Sequence, residues 1–173
     1  FGLIELFQAD GDPAWLEWAL ALQRQMDDQF WDPAEGGWFS TTGLDPSVLL
    51  RLKEDYDGAE PSASAVGVLN LLALSHLTND PTMAARIEKT LAAFAMRASQ
   101  QGRSVPMMLA ALSTYHAGMP QIVVVSDRDA AHGPLAAVVR ERYLPTAVVV
   151  PVNASTREAL ASLLPWIAAM QTR

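Results

Sequence analysis

Cysteine is absent from all 173 residues. That excludes disulfides, zinc–thiolate sites and thiol catalysis within this chain. Basic residues are scarce, with 12 Lys and Arg against 19 Asp and Glu, a formal net charge of −7. Nucleic-acid binding needs a basic face to displace counterions. This balance, with no Lys/Arg cluster, argues against a nucleic-acid partner. No uncharged apolar run reaches the roughly 18 residues of a membrane span. The nearest, Ala63 to Leu77, is too short and is broken by Asn70, Ser75 and His76. No signal-peptide pattern opens the chain, and cytoplasmic localisation without membrane attachment is expected. A glycine-rich phosphate loop is missing after Val125, where Ser126-Asp127-Arg128-Asp129 follows. Asp127 there fits helix capping better than ligand binding. His76, His116 and His132 lack i,i+4 pairing, so neither a metal site nor a cofactor is expected. His76 reads as a hydrogen-bonded core histidine.

What is present is hydrophobic: half of the residues, enough for one domain with a sizeable core. Phe1 to Gln8 reads as helix. Asp12-Pro13 then supplies an N-cap and a first-turn proline, a strong start signal. Trp15, Ala19, Leu22, Met26 and Phe30 form an apolar stripe down the following helix, with Trp15 and Trp18 expected in the core. Asp32-Pro33 and Gly36-Gly37 demand turns, and Trp38 to Thr41 has short-strand composition. Gly43 to Ala59 reads as a long loop with a helical turn near Ser47 to Leu50, and such loops are often functional. Pro61 opens a helix that is apolar on nearly every side, expected to be buried between neighbours. Asp80-Pro81 starts another, Thr82 to Ser99, and Val105 to His116 a fourth, ending at Gly118.

The pattern changes at Pro120. Ile122 to Val125 and Ala147 to Val152 are β-branched strands, separated by a helix over Asp129 to Arg142. A last helix, Ser155 to Met170, opens on a Ser155–Glu158 capping box. Continuous apolar strands point to parallel pairing. The expected division is a helical part, 1–118, and a small β-α-β-α unit, 119–173.

Two motifs carry a resemblance. Phe30-Trp31-Asp32-Pro33-Ala34-Glu35-Gly36-Gly37-Trp38-Phe39 and Tyr56-Asp57-Gly58-Ala59-Glu60-Pro61-Ser62 stand in the same order and spacing as in a known family. The chain resembles the C-terminal half of thioredoxin-domain proteins that carry a six-hairpin (α/α)6 barrel, the spermatogenesis-associated thioredoxin-like proteins among them. The resemblance implies a mainly α fold: part of such a barrel, then the small α/β unit. It further implies that the missing N-terminal barrel half and a thioredoxin-like domain are partners, with self-association as another way to cover the open half. The family continues Pro-Ser with Gly-Asn-Ser, whereas Pro61-Ser62 is followed here by Ala63-Ser64-Ala65. An amide that would orient a ligand is replaced.

The candidate site is the acidic stretch Asp55 to Ser62. Carboxylates held together push one pKa upward, so one acts as acid and another as base. Asp57 and Glu60 are the candidate catalytic pair. Trp38, Tyr56, Asp55 and Ser62 are candidate substrate-binding groups, the aromatics as platforms for a sugar ring. Helix capping by Asp57 and Glu60 is the competing explanation. Trp31 is expected to plug the end of the barrel. The resemblance thus implies binding or transformation of a small carbohydrate at a funnel rim. The alternative is a non-catalytic scaffold or interaction domain attached to a thioredoxin-like domain.

Overall fold

A computed structural model describes residues 1–170; residues 171–173, the end of the expected α/β unit, lie outside it. The chain is mainly helical with one small sheet. Helix α1 (Gly2–Asp10) stops at Gly11, which turns left-handed at φ 75° and donates to Phe7 O at 2.8 Å. A Cβ at Gly11 would meet Pro151 Cβ at 2.9 Å, so α1 and the tail approach here backbone to side chain. Helix α2 (Pro13–Phe30) begins as expected, with Asp12 Oδ1 accepting from Ala14 N at 2.9 Å. Its buried line is Leu16, Ala19, Leu20 and Gln23, which shares Ala19 with the expected stripe but is rotated away from Trp15 and Leu22. Trp18 is therefore not core: it is 52% exposed and stacks on the half-buried Trp15. Trp15 is held at the α1–α2 corner because its Nε1 donates to Asp10 Oδ2 at 3.0 Å.

After α2 the chain crosses a double-glycine turn, with Gly36 and Gly37 at φ 85° and 79°. Only glycine adopts such geometry twice in succession without strain. The expected strand at Trp38 to Thr41 reduces to one antiparallel bridge, Trp31 to Trp38. The 43–60 loop forms turns but no helical turn at Ser47 to Leu50. Asp45 Oδ1 binds Ser47 N at 2.9 Å and its hydroxyl at 2.7 Å, which closes a tight side-chain turn instead.

Helix α3 (Ala63–Thr78) starts two residues later than Pro61, because Ser62 is its N-cap and accepts from Ala65 N. Val68, Leu71, Leu72, Leu74 and Leu77 are all buried, so α3 is enclosed on nearly every side. His76 Nδ1 lies 2.8 Å from Leu72 O. Helix α4 (Pro81–Gln100) buries a single line, Met83, Ile87, Thr90 and Phe94, against α3. Helix α5 (Pro106–Ala117) packs on the other side of α3.

Strands β1 (Gln121–Ser126) and β2 (Val148–Asn153) pair in parallel, Gln121 opposite Val148 through Ser126 opposite Asn153. The helix between them, α6 (Pro134–Arg140), is shorter than expected. Proline suits a first turn and disfavours helix in the residue before it, so Asp129 to Gly133 stays a turn. Helix α7 (Arg157–Leu163) ends before Pro165, which opens a 3-10 turn, Pro165–Ala169. The Ser155–Glu158 box does not form. Asn153 Oδ1 takes the Thr156 N–H at 2.9 Å instead. The tail packs on the helices: Val149 N donates to Gln8 Oε1 at 2.8 Å and Trp166 Nε1 to Leu77 O at 2.7 Å. One apolar core runs from Ile4 and Phe7 through α3 to Val150, Leu160 and Ile167.

Candidate functional site

The 51–62 segment crosses the body between the double-glycine turn and the N-terminus of α3. Asp57 holds its far end. One carboxylate oxygen accepts from Ser62 N at 2.8 Å, the other from Met107 N at 2.7 Å. Its own N–H donates to Ser104 O at 2.7 Å. The carboxylate therefore lies between the N-termini of α3 and α5. Unpaired amides and positive dipole ends meet there, and an anion is stabilised. Val105, the N-cap of α5, offers no side-chain acceptor, so Asp57 supplies that cap from 50 residues away.

Glu60 does not join it. It is exposed, and its carboxylate makes no hydrogen bond or ion pair among the described residues. Capping belongs to Asp57 and Ser62, with no share for Glu60. Asp55 pairs with the Arg97 guanidinium at the rim of an open cleft of about 440 Å³. Tyr56 is exposed. Trp38 is 1% exposed, a geometry that leaves its ring no open face for a ligand in this chain. It lies flat against α3, where a Cβ on Gly67 would meet its ring at 2.6 Å. Its backbone N–H donates to Ser64 Oγ at 3.1 Å. Ser62 is equally buried, with its hydroxyl engaged as the cap. Trp31 meets the Trp38 ring edge-on, centroids 5.1 Å apart. Five of the six candidate residues thus lie along the 51–62 segment, Trp38 lies apart from it against α3, and the six do not converge on one open pocket.

The segment's cations are tied inward. Lys53 Nζ reaches Asp32 at 2.7 Å, Glu35 at 3.3 Å and Gly36 O at 3.0 Å. Arg51 donates to Thr41 O and Gln29 O and stacks over the Phe39 ring at 4.1 Å. The hydrogen bond from Lys53 holds the Asp32 carboxyl below its ordinary value, helped by the Ala34 and Glu35 amides against the opposing effect of burial. A depressed carboxyl stabilises the fold above its unfolded pKa, near 3.8, and loses that contribution as pH falls through the folded value. We expect Lys53→Met to cost about 1–2 kcal/mol at neutral pH, a partly exposed charge-assisted pair. The difference from wild type should begin to shrink near pH 3.8 and vanish only once pH has fallen through the lower folded value, where native Asp32 is protonated, checked by urea midpoints against pH.

One important group has no obvious sequence signature. Asp27 adjoins Asp28 near the end of α2, yet its side chain is buried. It accepts from Trp38 Nε1 and Gln23 Nε2, each at 2.9 Å, and from Arg86 at 3.0 Å. Burial pushes its carboxyl up, while the indole and Arg86 pull it back. The arrangement locks Trp38 in place from below. No group of three or more His, Asp or Glu side chains with metal-holding geometry occurs among the described residues. No described helix is long and apolar enough to cross a membrane.

No family model matches the chain. The chain is 37% identical over 172 residues to human spermatogenesis-associated protein 20, and 36% identical over 172 residues to the mouse protein. Each match covers 98% of this chain and 22% of the relative. An uncharacterised protein of Caenorhabditis elegans is 29% identical over 125 residues, 72% of this chain and 17% of its own length. The chain therefore spans about a fifth of the length of the curated relatives it matches. It is homologous to a part of spermatogenesis-associated protein 20.

Proposed function

We propose that this chain is a non-catalytic packing segment of a longer polypeptide, forming part of an (α/α)6 ring carried beside a thioredoxin-like domain. The observation that carries this reading is the commitment of Asp57. Both of its oxygens are occupied by backbone amides, so the proton-transfer pair with Glu60 is not assembled. The helix pattern supports the ring. Helix α3 is buried nearly all round, while α2 and α4 bury one line each, as outer helices backing an inner one do. The small fraction of the relatives that the chain spans supports a role within a larger body.

The carbohydrate reading retains the exposed Tyr56 and Glu60, the latter unpaired among the described residues, on one turn. A sugar-library binding screen on the full-length polypeptide separates the two. The scaffold reading expects no sugar whose binding depends on this turn. Binding of a sugar that Glu60→Gln or Tyr56→Ala abolishes would overturn it.

A further inference from the structure

Residues 50–57 run extended with an inverted alternation. Arg51, Lys53, Asp55 and Asp57 face the body, and Leu50, Leu52, Glu54 and Tyr56 face out. Each inward residue is anchored. Arg51 binds backbone carbonyls of Thr41 and Gln29. Lys53 binds Asp32, Asp55 pairs with Arg97, and Asp57 binds the two helix N-termini. The Leu52 carbonyl accepts from Ser40 N at 2.8 Å. Polar anchoring thus presents the apolar side chains to solvent: Leu50 is 72%, Leu52 61% and Tyr56 59% exposed. Leu44 and Leu49, earlier in the same loop, are 85% and 99% exposed. Five large apolar groups on one anchored strap form more than the scattered exposure of an ordinary surface.

Charge restricts what covers them. The outward charges of the loop are Asp45, Glu54 and Glu60, all acidic, while both of its cations are turned inward. An anionic lipid surface is repelled by such a rim. A second copy brings the same acidic rim and the same net charge of −7. About four fifths of the length of the curated relatives lies outside the matched segment. We infer that the 43–60 strap is a docking surface for an apolar protein surface bordered by Lys and Arg, supplied by the remainder of the same longer polypeptide. This rests on the scaffold reading above, and deepens it by naming the surface and the chemistry of what it meets.

The experiment is site-specific photo-crosslinking in the full-length polypeptide. A benzophenone side chain is placed at Leu49 or Leu52, with Leu135, also exposed but on α6, as control. We expect at least tenfold more intramolecular product from the strap positions, mapping to a site flanked by basic residues. Glu54→Lys with Glu60→Lys should lower that yield several-fold while leaving the Leu135 background unchanged. Yields equal to the control, products joining two copies, or lipid adducts in the presence of phosphatidylserine vesicles would each overturn the inference. The sugar screen reads the scaffold premise separately, so failure of the strap and failure of the premise are told apart.

Discussion

Trp38→Ala should lower stability by about 3–5 kcal/mol, the range for emptying a buried large aromatic site. The indole fills the space between α3 and the double-glycine turn, and Gly67 has no Cβ because the ring occupies that position. The surroundings are poorly able to collapse. Gly37 N is fixed to Thr90 Oγ1 at 3.2 Å, Trp38 N to Ser64 Oγ, and Trp31 leans on the ring edge. Truncation also removes the Nε1 donor from the buried Asp27. Trp38→Phe keeps most of the volume and loses that donor and one of the two fused rings, so it should cost less than Trp38→Ala. Urea unfolding midpoints of the 173-residue chain check both values. A loss below about 1 kcal/mol for Trp38→Ala would mean that the ring is not a structural wedge.

Asp57→Ala should cost about 3 kcal/mol, from two charge-assisted hydrogen bonds on a half-buried acceptor. Removal leaves Ser62 N and Met107 N without their partner. The N-terminus of α5 is most affected, because Pro106 precedes Met107 and Val105 offers no cap. Asp57→Asn keeps one acceptor oxygen and loses the charge, so it should fall between wild type and alanine. Glu60→Gln, with no partner to lose among the described residues, should leave the unfolding midpoint unchanged. The contrast between the two acidic residues separates a structural carboxylate from a free one. Equal effects at both positions would contradict the geometry described.

Much of the fold is legible because it rests on local chemistry. Asp12-Pro13 and Asp80-Pro81 combine a side-chain cap with a proline whose missing N–H is harmless, and both helices begin there. The β-branched runs at Ile122 and Val148 pair in parallel because both are apolar throughout. What is not legible depends on partners distant in sequence. The burial of Trp38 is decided by Gly67, Ser64 and Asp27, and nothing near Trp38 announces them. Trp18 lies beside the expected apolar stripe yet faces out, because α2 buries Leu16, Ala19, Leu20 and Gln23 instead. Alternation in 50–57 marks an extended chain, but which face turns inward follows from Asp32, Arg97 and the two helix ends. The acidic cluster at Asp55 to Glu60 reads as reactive for the same reason. Its carboxylates are close in sequence, while Arg97 and Met107, which hold Asp55 and Asp57, lie 42 and 50 residues downstream.

Amide hydrogen exchange at Ser62 and Met107 tests most directly whether the acidic stretch holds the fold rather than a substrate. Both amides should exchange slowly in the wild-type chain, close to the helical amides of α3. Protection at both should collapse in Asp57→Ala while that of Leu71 and Leu74 persists. Exchange in the wild type as fast as at the exposed Leu49 would show the Asp57 carboxylate free, and would contradict the account.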